Sequence, residues 1–218
     1  MSHKLKRPSK NRPPKKIFLI VSEGEETEVN YFTDLKQDQR LITVEFKIVH
    51  SNNSDPMSVV NYAEQLRKER LKQNKIDGTP KYDRVFCLID RDQHQNYKNA
   101  LAKAKKSNIE VIRSIPCFEL WFLLHYRYST KYFACYDDLL PDLTKHCSGY
   151  SKNMDIYSLL ADKRETAIEH AKRLCKYWHL TDDCSQVIDE QANLAREDPN
   201  PFTEVHRLVS ILITNENQ

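Results

Sequence analysis

Short apolar runs alternate with amphipathic segments along the first 126 residues. The runs at residues 17–21, 41–49, 84–90 and 109–112 have the length and β-branched content of strands buried in a sheet. Segments with apolar side chains at helical spacing follow them, near residues 29–35, 56–73, 93–106 and 117–126. Alternating strands and helices are typical of a parallel sheet covered on both faces. We therefore predict an α/β fold around a mostly parallel sheet of about four strands flanked by helices.

The pattern changes after Tyr126. Residues 127–150 are rich in Tyr, Asp and Lys and predict loops with helical turns near residues 137–143. Helical spacing returns over residues 155–160, 162–178 and 202–213, and Asp162 followed by Glu165 resembles a capping box. We predict a disordered basic tail at residues 1–15, an α/β core at 16–126, and a mostly helical C-terminal third, 127–218, packed on that core.

Charge is distributed unevenly along the chain. Of its 34 Lys and Arg, seven lie in residues 1–16 with no acid, which leaves 27 against 31 acids and a net charge of −4 in the remainder. Such a tail can hold nucleic-acid phosphates without sequence preference, and the alternative is a solubilising leader without a partner. No apolar run approaches the roughly 20 residues of a membrane helix, and the polar N-terminus is no secretory signal. We predict a cytoplasmic protein that does not enter a membrane.

The six cysteines, at positions 87, 117, 135, 147, 175 and 184, form no C-x-x-C pair. We interpret them as buried, reduced thiols, which is consistent with a reducing compartment. A zinc site built from Cys135, His146 and Cys147 is the alternative, although this spacing matches no familiar ligand pattern.

Carboxylates gather where two predicted strands end. Four glutamates follow the first strand, beginning with Glu23, and Asp90 and Asp92 end the third. The carboxyl ends of parallel strands share one edge of a sheet, so these acids can converge there. Converging carboxylates repel one another without a cation, and their oxygens suit Mg²⁺ or Mn²⁺. The pattern predicts metal-assisted phosphodiester chemistry, with surface acids and helix caps as the alternative.

Four stretches together resemble the RloB-like family, which is also met as an abortive-infection component of the AbiL type. They are SEGEETEVNYF after the first strand, LIDRDQH at the third, SIPCFELWFLLH in the apolar helix, and NPFTEVHRLV at residues 200–209. The resemblance covers roughly residues 15–212. That family is similar to Toprim domains, the metal-binding catalytic module of topoisomerases, primases and OLD-type nucleases.

The resemblance implies a Toprim-like core that uses Mg²⁺ or Mn²⁺ in nuclease catalysis. It implies that Glu23, Asp90 and Asp92 bind the metal, and that a second acid of the first motif, Glu28 or else Glu25, adds a ligand.

Two further catalytic residues follow from the similarity to OLD-type enzymes. Glu119 fits an additional Glu of those enzymes by position, and an isolated acid on so apolar a helix also needs a partner or a cation. Lys152 is the candidate to stabilise developing phosphate charge, and an ordinary surface lysine is the alternative.

We expect a DNA or RNA substrate, a protein partner of the AAA/ABC ATPase type and a role in antiphage defence. A homo-oligomer and a monomer both stay open. His94 and His125 are candidate proton shuttles or RNA contacts, or else a surface and a core histidine. The alternative function is a non-catalytic regulatory subunit that binds a nucleotide or a metal. The expected nucleic-acid contacts are Lys10, Arg12, Lys15, Lys16, Arg91 and His94.

Overall fold

The computed structural model describes residues 16–22, 24, 26–48, 55–91, 96–184, 186, 188 and 199–216. Its sheet runs in the order β2-β1-β3-β4-β5. The first four strands pair in parallel, and β5 pairs antiparallel with β4. The predicted mostly parallel sheet is confirmed, with one short edge strand in addition. The strands are β1 (Phe18–Ser22), β2 (Val44–Ile48), β3 (Arg84–Asp90), β4 (Glu110–Ile115) and β5 (Phe202–Thr203).

Helices cover both faces of this sheet, and the C-terminal part is helical as predicted. None of the helices in the described ranges combines the length and the apolar character needed to cross a membrane. A 3₁₀ turn, Ala161–Lys163, separates the sixth and seventh helices. The helices are α1 (Thr27–Asp38), α2 (Pro56–Asp77), α3 (Tyr97–Lys106), α4 (Glu119–Leu124), α5 (Tyr136–Thr144), α6 (Tyr157–Leu160), α7 (Arg164–Tyr177) and α8 (Val205–Glu216).

The strands are apolar on both sides because each side faces a different layer of helices. Side chains alternate along a strand, so Phe18 and Ile20 of β1 join the larger core cluster with α1, α4, α7 and α8. Leu19 and Val21 point the other way, into a second cluster with α2 and α3. The C-terminal helices therefore pack on the same face of the sheet as α1.

Local sequence signals set the ends of α2 but not the start of α7. Asp55 caps α2, since its Oδ1 accepts hydrogen bonds from the backbone N–H groups of Met57 and Ser58 at 2.9 and 3.3 Å. Gly78 ends α2 in a left-handed conformation, with φ of 77°. The capping box predicted at Asp162 is wrong: this residue lies in the 3₁₀ turn, and no side chain caps α7.

The stretch NPFTEVHRLV at residues 200–209, called here the C-terminal signature, contains a short strand at the sheet edge. The sequence predicted a helix from Phe202, but residues 202–203 form β5 and the helix begins at Val205. The Glu204 carboxylate accepts three hydrogen bonds from Arg113 of β4, two from the guanidinium and one from the backbone N–H, at 2.8 to 3.2 Å. This pair of a buried glutamate and a half-buried arginine holds the chain extended against β4 before α8 begins.

The cysteines only partly match the expectation of buried thiols. Cys87, Cys117 and Cys147 are buried and free, whereas Cys135 is exposed. The remaining two, at positions 175 and 184, are joined as a disulfide. The alternative zinc site at residues 135, 146 and 147 is wrong, because these described residues do not bring their ligand atoms together. Instead, the Cys147 thiol donates to the Tyr126 hydroxyl at 3.3 Å.

Candidate active site

The crevice of this sheet opens between β1 and β3. From β1 the chain crosses outward to β2 on one side, and from β3 it crosses outward to β4 on the other. Such a switch point leaves a cleft at the carboxyl ends of the two strands, where ligands bind in open α/β sheets. Ser22 ends β1 beside Leu88, and Asp90 ends β3 two residues further on. Asp90 is therefore placed at the same edge of the sheet as the end of β1.

Several predicted site residues lie outside the described ranges. The convergence of the three expected metal ligands therefore stays a prediction, since only Asp90 among them is described. The residues outside the described ranges are Lys10, Arg12, Lys15, Glu23, Glu25, Asp92 and His94.

Glu119 is the most deeply buried of the acids that the structure describes at this edge. It opens the short helix α4 and is 3% exposed. Its Oε1 accepts hydrogen bonds from the Thr27 hydroxyl at 3.2 Å and from the Tyr150 hydroxyl at 3.3 Å. One donor comes from the start of α1 and the other from the loop before α6, so the carboxylate joins three distant parts of the chain. Burying a carboxylate is unfavourable without such partners.

Asp90 lies next to the start of the same helix. Its Oδ2 accepts a hydrogen bond from the Phe118 backbone N–H at 3.1 Å. Burial raises the pKa of the Cys117 thiol, and the nearby carboxylates of Glu119 and Asp90 raise it further. Both acids therefore lie close to Cys117, which brings the end of β3 and the start of α4 into one site. A thiol held protonated in this way is a poor nucleophile.

Glu28 occupies the space that Gly24 leaves open. Glu28 is buried, and a Cβ atom added to Gly24 would overlap its carboxyl group. The Gly24 N–H donates to the Ser22 hydroxyl at 3.1 Å, which turns the chain directly after β1. The structure thus places the Glu28 carboxylate at the end of β1, where the second acid of the first motif is expected.

Lys152 is an exposed, positively charged residue beside this site. Its Nζ lies 4.9 Å from the centre of the Tyr136 ring. Burial acts to lower the pKa of Lys152, but Glu119, Tyr136 and Glu28 outweigh it, and the pKa is raised. This lysine is therefore coupled to both buried glutamates and stays protonated beside them.

Residues 18–212 match the family model described as RloB-like protein. The chain belongs to the RloB-like family. The match takes in all five strands of the sheet described above and the part of α8 up to Leu212. No curated protein and no solved structure gives a significant match.

Three contributors to the site of this RloB-like chain were not predicted from its sequence. Thr27, Tyr136 and Tyr150 surround the Glu119 and Lys152 side chains. A weak signal was present, since Thr27 stands inside the acidic motif and Tyr150 lies two positions before the candidate lysine. All three supply hydroxyl groups, which suit a site built from carboxylates.

Some of the basic residues considered for nucleic-acid contact lie away from this edge. Arg91 follows β3 and stacks over the Tyr97 ring at 5.4 Å, close to the acids. Lys16 comes directly before β1 and therefore lies at the opposite edge of the sheet. The same is true of the basic end of α3, which leads into β4; there Lys103 pairs with Glu64 of α2 at 3.5 Å.

His125 belongs to the core rather than to the site. It is buried, and its Nδ1 lies 2.8 Å from the carbonyl oxygen of Trp121. The ring also packs edge-on against Trp121. Burial lowers the pKa of His125 to about 4, although the Trp121 carbonyl acts in the opposite direction. The interpretation as a core histidine is confirmed.

Proposed function

We propose that this RloB-like protein is a nuclease dependent on Mg²⁺ or Mn²⁺ and built on a Toprim-like core. The observation that carries the proposal is the buried Glu119 at the carboxyl edge of β1 and β3, linked to Thr27 and Tyr150 and coupled to Lys152. Buried carboxylates such as Glu28 and Glu119 lower the stability of a fold unless they are paired or bind a cation. They are typical of sites that bind a cation and a phosphate.

The donor chemistry of this edge fits such a metal. The described side chains offer carboxylate oxygens from Glu28, Asp90 and Glu119, the hard ligands that Mg²⁺ prefers. Glu23, Asp90 and Asp92 would hold the ion, with Glu28 as a further ligand. When bound, the ion would activate a water molecule and neutralise the leaving oxygen of a phosphodiester.

The protein's own side chains have separate tasks in this proposal. Lys152 binds a non-bridging phosphate oxygen, and its charge stabilises the negative charge that develops there. Glu119 orients the attacking water or supports a second ion. Tyr150 and Thr27 position Glu119 by donating hydrogen bonds to it.

Substrate and partner follow from the family resemblance and from charge. The basic residues Lys10, Arg12, Lys15, Arg91 and His94 bind the backbone of DNA or RNA. An ATPase of the AAA/ABC type works with the nuclease in antiphage defence. The second candidate is a non-catalytic regulatory subunit that binds a nucleotide or a metal, and the net charge of −4 outside residues 1–16 favours it.

A cleavage assay tests the proposal directly. The pure protein is incubated with labelled tRNA, single-stranded RNA and plasmid in Mg²⁺, Mn²⁺ or EDTA, with and without the ATPase partner. We expect cleavage that requires the metal and is lost when Asp90→Ala and Asp92→Ala are combined. The matched control combines Glu69→Ala and Asp77→Ala on the exposed side of α2, and it should cleave normally.

Two outcomes contradict different parts of the proposal. Cleavage that persists in the Asp90 and Asp92 double variant removes these residues from the site. A complete lack of cleavage with the partner present replaces the nuclease with the regulatory subunit.

A further inference from the structure

A second group of potential metal ligands lies beside β5 and shares no residue with the acidic site. Cys175 is in the last turn of α7, Cys184 is in the loop after it, and His206 is in the first turn of α8. Each residue offers a ligand atom, and these atoms all lie within 4.8 Å of one another. The three side chains are 0%, 5% and 1% exposed, respectively.

The hydrogen bonds of His206 determine which ring nitrogen is available. Nε2 lies 2.8 Å from the carbonyl oxygen of Asp182, which can only accept a hydrogen bond. We assign the proton of the neutral ring to Nε2 on the basis of this contact, which leaves a lone pair on Nδ1. Nδ1 is fully buried and accepts no hydrogen bond from a described residue. A buried acceptor without a donor is unfavourable, and a bound cation is one of the groups that can satisfy it.

The two sulfurs can form either of two arrangements. The structure joins Cys175 and Cys184 as a disulfide, which leaves the Nδ1 lone pair of His206 unsatisfied. In the reduced chain the same atoms provide two thiolates and one imidazole, the ligands that zinc prefers. A ligating histidine usually donates its other N–H to a carbonyl or carboxylate, as Nε2 does here toward Asp182.

We propose that Cys175, Cys184 and His206 bind Zn²⁺ when the two cysteines are reduced. Binding releases the two thiol protons, and neutral His206 coordinates through Nδ1. Three protein ligands leave one position of the zinc tetrahedron for water or another small ligand. The ion would connect the end of α7 to the start of α8 across β5, and so would hold the C-terminal signature at the sheet edge.

The apolar cluster around these ligands is small, so a bound ion would add to the stability of this region. These cysteines pack with Ile115, Leu180 and Phe202 in a cluster separate from the two large ones. Few apolar side chains stabilise this corner, so a metal that connects three segments would contribute strongly to its order.

The test uses the full chain, purified without metal and kept in a phosphine reductant. Bound zinc is measured by mass spectrometry after dialysis, and Co²⁺ is titrated to detect thiolate-to-cobalt charge-transfer absorption. We expect one zinc per chain, a strong charge-transfer band, and a higher Tm with zinc than with EDTA. Cys184→Ser and His206→Asn should each lose the stoichiometric zinc and most of the band.

The matched control is Cys147→Ser, which removes a buried free thiol outside the cluster and should bind zinc normally. Circular dichroism checks that each variant is folded; for a variant that does not fold, the Co²⁺ spectrum of the natural chain decides. Three results overturn the proposal: no charge-transfer band in the reduced natural chain, full zinc binding by folded Cys184→Ser, or a disulfide that persists under the reductant.

Discussion

Replacing Gly24 by alanine separates the function of the acidic edge from the stability of the fold. The backbone at Gly24 is outside the left-handed region, so an alanine can adopt it without strain. The added methyl group would overlap the carboxyl group of Glu28 and nothing else comes closer. The substitution therefore acts by displacing one buried carboxylate from the end of β1.

The expected loss of stability is small because the displaced group ends a flexible side chain. Moving Glu28 away from its preferred rotamer costs about 1 kcal/mol, which lowers the Tm of a chain of this size by roughly 2–4 °C. The effect on catalysis is larger, because a misplacement of about 1 Å in an active site reduces the rate by about 10²-fold.

A second glycine provides the control. Gly78 ends α2 with φ of 77°, and a Cβ atom there would meet nothing within 4 Å. Gly78→Ala therefore loses about 1 kcal/mol through backbone strain alone and should cleave normally. Thermal unfolding and metal-dependent cleavage are measured for both variants. Combining Gly24→Ala with Glu28→Ala should give the activity of Glu28→Ala alone, because the overlap is then gone.

The reasoning is refuted if Gly24→Ala lowers the Tm as expected and still cleaves at the natural rate. In that case the position of the Glu28 carboxylate would not matter for catalysis, and the second acid of the first motif would have to be sought elsewhere.

Two further predictions concern the surroundings of the site. Tyr150→Phe removes a hydrogen-bond donor to Glu119 and should slow cleavage about 10-fold, while the free energy of unfolding falls by about 1 kcal/mol. The control Tyr132→Phe, at an exposed position, should change neither. Equal cleavage rates for the natural chain and both variants would contradict the role of Tyr150. The pKa of His125 is about 4 in the folded chain because of burial, against about 6.5 when unfolded. Above pH 6.5 the ring is neutral in both states, so His125 does not lower the free energy of unfolding. As the pH falls toward 4, only the unfolded chain binds the proton, and the folded state becomes less stable. Between pH 7.5 and pH 4.5, urea unfolding should show that His125 lowers the free energy of unfolding by up to about 3 kcal/mol. A folded His125→Asn variant with the same pH dependence would contradict this assignment to His125.

The sequence pattern predicts the strands that are buried on both faces. It does not predict β5, which is held in the sheet by an ion pair between residues far apart in the sequence. β3 has the predicted bounds because its apolar run is uninterrupted and ends in an acid. β5 is only two residues long and is followed at once by a helix, so its pattern merges with that of α8. What makes it a strand is the pair between Glu204 and Arg113, which are 91 positions apart.

The same limit applies to the site. Asp90, Glu119 and Lys152 could be singled out from motifs, since each motif is a short local stretch. Tyr150 could not, because its hydroxyl reaches Glu119 only after the loop that follows α5 folds back over α4. The pairing of the last two cysteines likewise depends on the chain reversal after α7, where His179 adopts a left-handed conformation with φ of 57°.

The central claim is that the acids at the ends of β1 and β3 hold a divalent cation. A crystal of the protein soaked in Mn²⁺ and measured for anomalous scattering tests it most directly. We predict one strong peak within about 2.2 Å of carboxylate oxygens of Glu23, Asp90 and Asp92, and its loss in crystals of Asp90→Asn. An ordered site without a peak, or a Glu23 side chain that points away from Asp90, would contradict the claim.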